Sequence, residues 1–260
     1  MQIATWNVNS IRARVSRVTD FLNRTNLDVL AMQEIKCKPE QFPVEQFAEI
    51  GYDVLIHGFN QWNGVAFAYK NSIAVEDVQE HFPEQPEFDG KLEARALGAT
   101  FNGVRLWSLY VPNGRELDHP HYDYKLQWLD RLASYMAESL ENDPEQALAL
   151  MGDFNIAPLD TDVWDINFFA GSTHVSEPER IAFEAFEQIG IRDVVRPIVP
   201  DGYTYWDYKD LRFPRNEGMR IDFILGTESF AERVAAASIE RNERKGEGPS
   251  DHVPVVVELS

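Results

Sequence analysis

The sequence feature that most constrains the fold is the segment ALALMGDFN at residues 147–155. Its first five residues, 147–151, are apolar and predict a strand that is buried on both faces. The segment then becomes polar, and Asp153 and Asn155 are separated by one residue. Because side chains alternate along a strand, these two are predicted to point to one side and Phe154 to the other. The segment therefore predicts a candidate site at the end of a buried strand, although a simple turn capped by Asp153 has the same local sequence.

Length and composition predict one domain. The chain of 260 residues is 44% hydrophobic, which supplies a sizeable core, and it shows no linker, internal repeat or low-complexity segment. We therefore expect a single domain spanning residues 1–260. The only cysteine, Cys37, cannot form an internal disulfide bond, which is typical of a reducing compartment. The sequence has no signal-like N-terminus and no membrane-spanning apolar run, so we expect a cytoplasmic protein, and a monomer.

Net charge is the feature that argues most strongly against a nucleic-acid partner. The chain has 43 acidic and 24 basic residues, which gives a formal net charge of −19. A field of that sign should slow the encounter with a polyanion. The basic residues nevertheless occur in clusters, which could form one local face or could be scattered solvated charges. The clusters are Arg12, Arg14 and Arg17; Lys36 and Lys38; Arg212, Arg215 and Arg220; and Arg241, Arg244 and Lys245.

The N-terminal part of the chain places polar side chains after two predicted strands. Residues 1–6 and 27–32 predict strands with a helix between them. Asn7 and Asn9 follow the first strand, where α/β proteins often contact ligands, although asparagine is also a common turn residue. Glu34 follows the second strand, and a carboxylate there is costly unless it is paired, caps a helix or binds a metal ion.

Two helices are predicted in the second half of the chain. Apolar residues at helical spacing over 126–140 predict an amphipathic helix that packs on the core. A second helix is predicted at 181–189, and Ser176 with Glu179 has the spacing of a capping box before it. His174 has no evident metal partner in the sequence, and we interpret it as structural.

The remaining strands bring further polar groups. Strands with hairpin-like spacing begin near Trp62 and end at Tyr110, whose position is typical of a half-buried tyrosine with its hydroxyl in water. Residues 219–225 predict a strand that carries one buried acid, Asp222. A buried acid needs a partner, and a histidine is the least costly one available. His252, directly before the final predicted strand, is the candidate.

Six short motifs connect these polar positions. They are WNVNSIRA, QEIK, YVPNG, GDFNIAP, RIDF and SDH, in this order, spread from residue 6 to residue 252. Together they closely resemble the exonuclease III family of abasic-site endonucleases, in the endonuclease/exonuclease/phosphatase superfamily. The resemblance implies a four-layered α/β sandwich, in which two packed mixed β-sheets are flanked by helices. The predicted strands and helices are compatible with that fold but do not by themselves select it.

The polar residues can support phosphodiester hydrolysis, which needs a positioned water, a base, a cation and help for the leaving oxygen. Glu34, Asn7 and Asp251 offer hard oxygen ligands, with Asn9 as a further candidate. This set suits Mg²⁺ better than zinc, for which the sequence shows no Cys/His cluster. We expect Mn²⁺ to substitute. A second ion, if one binds, would have as neighbours Asp153, Asn155 and His252.

Catalytic roles are assigned to five residues, and the resemblance implies similar ones. Asp153 is expected to orient and deprotonate the attacking water, and Asn155 to donate a hydrogen bond to the phosphate or the attacking oxygen. Asp222 would fix the tautomer of His252 and favour the imidazolium, which would donate to a phosphate oxygen. His252 is the alternative base. The Tyr110 hydroxyl could contact the phosphate or stabilise the leaving group.

Substrate-binding residues rest mainly on the resemblance. It implies that Tyr205 and Met219 form an apolar pocket for a flipped-out abasic sugar, although both are also ordinary core residue types. A missing base makes a nucleotide easy to extrude because little stacking is lost. Asn113, Arg115 and Arg95 are the expected phosphate contacts.

The resemblance implies a Mg²⁺-dependent DNA repair nuclease. It would cut double-stranded DNA 5′ to abasic sites and remove nucleotides or blocking groups from 3′ ends. One alternative is a phosphodiesterase of the same fold that acts on lipid or small phosphate esters, against which Tyr205 and Met219 argue. The other is a catalytically silent nucleic-acid-binding regulator, against which the intact set of carboxylates, asparagines and histidine argues.

Overall fold

The computed structural model describes residues 1–260 and contains twelve strands and six α-helices. The strands are β1 (Gln2–Asn7), β2 (Val29–Gln33), β3 (Tyr52–His57), β4 (Val65–Lys70), β5 (Val75–Gln79), β6 (Ala96–Phe101), β7 (Val104–Tyr110), β8 (Leu148–Asp153), β9 (Arg192–Asp193), β10 (Asp222–Gly226), β11 (Val234–Ile239) and β12 (Val255–Leu259). The helices are α1 (Ile11–Thr25), α2 (Val44–Ala48), α3 (Pro120–Asn142), α4 (Glu177–Gln188), α5 (Arg212–Arg215) and α6 (Glu228–Ala231).

The strands form two mixed sheets of six strands each. The first sheet has the order β11-β12-β1-β2-β4-β3, and the second has the order β5-β6-β7-β8-β10-β9. In each sheet one central pair is parallel, β1 with β2 and β7 with β8, and the other pairs are antiparallel. Parallel neighbours end at the same edge of a sheet, so each sheet presents two adjacent carboxyl ends there.

Three apolar clusters arrange the chain in four layers. The cluster between the sheets includes Phe67 from the first sheet and Met151 from the second. A second cluster packs α3, through side chains such as Trp128, on the outer face of the second sheet. A third packs α1 and α2, through Phe21 and Phe47, on the outer face of the first sheet. The expected four-layered α/β sandwich is confirmed.

None of the helices combines the length and the apolar composition that crossing a membrane requires.

The predicted elements occur with shifted ends. The strand expected at 147–151 is β8. The helix expected from residue 181 already begins at Glu177, because Glu179 accepts hydrogen bonds from the backbone N–H and the hydroxyl of Ser176. The strand expected from residue 219 begins only at Asp222, because Met219 forms an isolated bridge instead. The capping box was therefore a better guide to the helix start than apolar periodicity.

Candidate active site

The polar side chains meet where the carboxyl ends of the central strands lie side by side. The antiparallel register of β10 and β8 places Asp222 directly opposite Asp153. Asp251 and His252 precede β12, which pairs antiparallel with β1. The strand topology therefore delivers polar groups from both sheets to one edge of the sandwich. The groups at or just beyond the ends of β1, β2, β7 and β8 are Asn7, Glu34, Tyr110 and Asp153.

Asn7 connects carboxylates that come from the two sheets. Its side-chain Nδ2 donates to Glu34 Oε1 at 2.8 Å and to Asp153 Oδ2 at 3.0 Å. Its Oδ1 accepts from the backbone N–H of Asn9 at 3.0 Å. Glu34, Asp153 and His252 each offer a ligand atom, and these atoms lie within 4.8 Å of one another. The two carboxylates of this grouping could hold a metal ion.

His252 lies between two buried acids. Its Nδ1 is 2.8 Å from Asp222 Oδ2, and its Nε2 is 3.7 Å from Asp153 Oδ2. Burial alone would lower the pKa of His252, but the neighbouring carboxylates of Asp222 and Asp153 outweigh it and raise the pKa to about 10. The ring therefore carries a positive charge at neutral pH.

Asp153 has an unusual pKa for a carboxyl group. Burial, reinforced by the negative charges of Asp222 and Glu34, raises the pKa of Asp153 to about 7, against the opposing effect of His252. A group that titrates near neutrality can accept a proton during a reaction and release it afterwards. The backbone N–H of Asn155 donates to Asp153 Oδ1 at 2.9 Å and fixes the orientation of the carboxylate.

Glu34 is paired with a nearby cation. Lys36 Nζ lies 2.9 Å from Glu34 Oε2 and donates to Asn9 Oδ1 at 2.7 Å, while Asn9 Nδ2 donates to Asp251 Oδ1 at 3.0 Å. Burial alone would raise the pKa of Glu34, but Lys36 and the Asn7 amide lower it overall. Asn9, Glu34 and Lys36 have φ angles of 43°, 50° and 53°, a left-handed conformation that non-glycine residues adopt at a cost.

Tyr110 provides a protonated hydroxyl at the end of β7. Burial, reinforced by the negative charge of Glu34, raises the pKa of Tyr110 well above its ordinary value. Its hydroxyl group therefore remains a hydrogen-bond donor across the physiological range. It lines the same cleft as Asp153 and His252.

Two of the expected phosphate contacts lie outside the cleft. Arg95 is only 4% exposed, and it bonds to Glu93 Oε2 at 2.6 Å and to the Tyr110 carbonyl oxygen at 3.2 Å. Its guanidinium is thus buried and already has partners, and Arg95 does not line the cleft. Arg115 is exposed, with its Nη1 3.2 Å from His119 Nε2, and it does not line the cleft.

One wall of the cleft carries a polar group formed by Asn155, Asn113 and His174. Asn155 Oδ1 accepts from Asn113 Nδ2 at 3.2 Å and lies 3.1 Å from His174 Nε2, while Asn155 Nδ2 donates to the Val111 carbonyl at 3.0 Å. Burial lowers the pKa of His174 to about 3, so its ring is neutral. The sequence suggested only a structural role for His174, since no local pattern connects it with Asn155.

The cleft above these groups has a volume of about 500 Å³ and one aromatic wall. Tyr205 and Met219 form a β-bridge with each other on that wall, and the Tyr205 ring centroid lies 4.9 Å from the ring of His252. The guanidinium of Arg212 lies 4.9 Å from the ring centroid of Trp164 at the rim. The cleft therefore combines an apolar wall with a floor of acids, amides and a charged histidine.

The fold and the site together define a class of protein: a two-sheet α/β sandwich with a polar catalytic-type cleft at one edge. The model of the "Endonuclease/Exonuclease/phosphatase family" matches residues 4–252, and the chain belongs to that family. The sequence is 30% identical over 270 residues to exodeoxyribonuclease III of Haemophilus influenzae, with 100% of both chains covered.

Two solved structures show the same similarity at the level of the fold. An AP endonuclease from Archaeoglobus fulgidus is 35% identical, with a TM-score of 0.92 over 100% of this chain and 99% of that one. A 3′ phosphatase from Neisseria bound to a product DNA hairpin is 34% identical, with a TM-score of 0.93 over 100% of this chain and 99% of the other. The resemblance inferred from the six motifs is confirmed.

Proposed function

We propose that this protein is a Mg²⁺-dependent DNA repair nuclease that incises duplex DNA 5′ to abasic sites and removes nucleotides or blocking groups from 3′ ends. The main support for the proposal is a continuous series of side-chain contacts that joins the two sheets through Asn7. The series runs through Glu34, Asn7, Asp153, His252 and Asp222. The similarity to an exodeoxyribonuclease III, an AP endonuclease and a 3′ phosphatase supports it. We further propose one catalytic domain over residues 1–260, acting as a monomer in the cytoplasm.

The donor set fits Mg²⁺. Glu34 and Asp251 offer carboxylate oxygens, the ligand type that this ion prefers. Asn7 Oδ1 accepts one bond from the Asn9 N–H and keeps a second lone pair for an ion. Glu34 already accommodates a positive charge, since the ammonium of Lys36 lies 2.9 Å from its Oε2. We propose Glu34, Asn7 and Asp251 as the residues that hold the ion, with Asp153, Asn155 and His252 beside a second one. When bound, the ion would neutralise negative charge on the phosphate.

The side chains have complementary roles in the proposed reaction. Asp153 orients the attacking water and takes its proton, because its pKa of about 7 suits a base at neutral pH. His252 is a poor alternative base, because the same environment keeps it protonated. Its Nε2–H instead donates to a phosphate oxygen, and Asp222 holds the ring by its Nδ1. Tyr110 donates its hydroxyl proton toward the phosphate or the leaving oxygen, and Asn155 offers a side-chain N–H.

The proposed substrate pocket is the apolar wall of the cleft. Tyr205 forms bridges with both Met219 and His252, so a sugar without a base that packs on Tyr205 and Met219 would bring its phosphate toward the acids. Asn113 lines the cleft and is proposed as a phosphate contact. Arg115 is proposed as a contact to the DNA backbone outside the cleft, where its exposed guanidinium is available.

The experiment that tests this function uses three duplex oligonucleotides: one with an abasic-site analogue, one with a 3′ phosphate and one undamaged. With Mg²⁺ we expect incision 5′ to the lesion, phosphate release and slower 3′ trimming, and none of these with EDTA. Asp153→Asn should reduce turnover by about 10²- to 10⁴-fold, the usual contribution of a general base. Asp162→Asn, which changes a buried acid that is paired with Arg196, is the matched control and should retain turnover.

Two results would contradict the proposal. Cleavage of lipid headgroups or small phosphodiesters without cleavage of any duplex would favour the phosphodiesterase alternative. Binding of the duplexes without cleavage at any divalent ion concentration would favour the silent regulator.

A further inference from the structure

A buried ion pair that the proposed mechanism does not use lies beneath the candidate site. Lys125 of α3 and Glu179 of α4 have side chains that are 0% exposed, and Lys125 Nζ lies 2.5 Å from Glu179 Oε1. Removing two charges from water is costly, and the cost is offset only when the remaining donors and acceptors are also satisfied. The partners of this pair therefore indicate what it does.

The other donors of Lys125 reach two loops of the site. Its Nζ donates to the carbonyl oxygen of Asn155 at 2.6 Å and to that of Asn113 at 3.2 Å. These loops follow β8 and β7, and their side chains meet in the cleft. One ammonium group therefore fixes the backbone of two residues that line the cleft.

The carboxylate oxygens of Glu179 accept hydrogen bonds from a third loop, which contains residues 173–176. Its Oε1 accepts from the Thr173 hydroxyl at 2.6 Å and from the backbone N–H of His174 at 2.9 Å. Its Oε2 accepts from the hydroxyl of Ser176 at 2.6 Å and from its backbone N–H at 3.2 Å. The carboxylate thus fixes the segment that brings the His174 ring to Asn155.

The loops held by this pair have backbone conformations that require support. Asn155 and His174 have φ angles of 50° and 78°, which are unfavourable for residues with a Cβ and persist when the surroundings fix them. Gly114 allows the close approach of the loop after β7, because an added Cβ would lie 2.6 Å from Thr173 Oγ1 and 3.2 Å from Lys125 Cδ. The three loops therefore pack around the ion pair as one unit.

We propose that Lys125 and Glu179 are positioning residues for the reaction: they set the relative placement of Asn113, Asn155 and His174 in the cleft. The proposal rests on the nuclease function proposed above. Neither Lys125 nor Glu179 lines the cleft, so the effect of the pair on the reaction passes through the cleft residues that it contacts. A displacement of reacting groups by about 1 Å can lower turnover by about a hundredfold.

The test is the double variant Lys125→Met/Glu179→Gln, which removes both charges but keeps side-chain volume and the acceptor for Thr173 and His174. We expect kcat on the abasic duplex to fall at least about tenfold, with KM within about threefold. The control is Lys70→Met/Asp28→Asn, a Lys–carboxylate pair at 2.8 Å at the opposite edge of the first sheet. It should leave kcat unchanged.

Hydrogen exchange supplies a readout that does not depend on nuclease activity. In the double variant, exchange at the backbone amides of Asn155 and His174 should accelerate, while the amides of β3 and β4 keep the rate of the unmodified protein. If the unmodified protein cuts no DNA, the nuclease function fails, and the exchange data alone decide the positioning proposal. Unchanged exchange at both amides, or an equal loss of kcat in the control, would overturn it.

A milder variant covers the case in which the double variant does not fold. Thr173→Val removes only the hydroxyl, which bonds to Glu179 Oε1 at 2.6 Å and to the Asn113 carbonyl oxygen at 3.2 Å, and should lower kcat several-fold at constant KM. Thr19→Val removes a hydroxyl that bonds within α1 and is its control. Equal kcat in these two variants would also overturn the proposal.

Discussion

At the scale of single residues, the chemistry of the site depends on which of its side chains are protonated. Asp153 and His252 are neighbours, with pKa values of about 7 and about 10. Asp222 and Asp153 together hold the proton on the His252 ring. This distribution leaves Asp153 as the group that can accept a proton at neutral pH and His252 as the group that can donate one.

The substitution Asp222→Asn tests this distribution. Without the Asp222 charge, the effect of burial is less opposed, and the pKa of His252 should fall from about 10 toward or below its ordinary value. The ring would then lose its charge as the pH rises through about 6.5 instead of about 10. NMR titration of the His252 ring protons in metal-free protein measures this shift, and turnover at pH 8 should fall by about a hundredfold.

The control for this prediction is Asp162→Asn, which removes another buried carboxylate, paired with Arg196 at 2.9 Å. Its His252 titration and its turnover should match those of the unmodified protein. A ring that stays protonated to pH 9 in Asp222→Asn would contradict the role given to Asp222.

At the scale of elements, the site depends on how closely β7 and β8 approach each other. Leu109 and Gly152 are partners in the parallel register, one residue before Tyr110 and Asp153. A Cβ at position 152 would lie 1.9 Å from the carbonyl oxygen of Leu109. The glycine therefore allows the approach that brings the last residues of these two strands side by side.

Gly152→Ala should destabilise the fold by about 3 kcal/mol or more, because the backbone of β7 or β8 must move to admit the methyl group. Gly51→Ala is the control: it also has a positive φ, of 82°, but a Cβ there meets nothing within 4 Å. It should cost only about 1 kcal/mol, from backbone strain alone. Urea unfolding at pH 7 measures both losses, and equal losses would show that the contact with Leu109 does not limit the approach.

Elements were easier to predict from the sequence than the contacts between them. The segment 147–155 correctly indicated a buried strand with Asp153 at its end. Strand alternation was the wrong reason for the proximity of Asp153 and Asn155, because β8 ends at Asp153 and Asn155 has a φ of 50°. A turn, in which the N–H of Asn155 bonds to the Asp153 side chain, brings them together instead.

Contacts between loops could not be read from local patterns. Periodicity and capping depend on neighbours within a few residues, whereas His174 reaches Asn155 through loops that Lys125 and Glu179 hold. Burial is equally hard to read from charge alone: Arg95 pairs with Glu93, two residues away, below the surface. The motif resemblance identified the family because its motifs span the whole chain.

At the scale of the whole molecule, the excess of acidic residues must be compatible with a polyanionic substrate. Two of the basic clusters do lie together, since Arg17 donates to the carbonyl oxygens of Glu243, Lys245 and Glu247. Coulomb interactions with distant acids are screened over about 8 Å at physiological ionic strength. Basic residues near the cleft can therefore govern DNA contact, while acids at the opposite edge act only at low salt.

The triple variant Glu141→Gln/Asp143→Asn/Glu145→Gln tests this screening. These exposed acids lie at the C-terminal end of α3 and in the loop before β8, one strand length or about 20 Å from the site. Removing three negative charges changes the formal net charge from −19 to −16. At 10 mM salt, where the screening length is about 30 Å, kcat/KM on the abasic duplex should rise about twofold. At 150 mM salt it should equal that of the unmodified protein. Asn142→Ala, a neutral change in the same turn, should have no effect at either salt concentration. An increase in kcat/KM that persists at 150 mM salt would mean that these acids act on DNA at short range. If kcat/KM does not increase at 10 mM salt, the net charge does not limit the encounter with DNA.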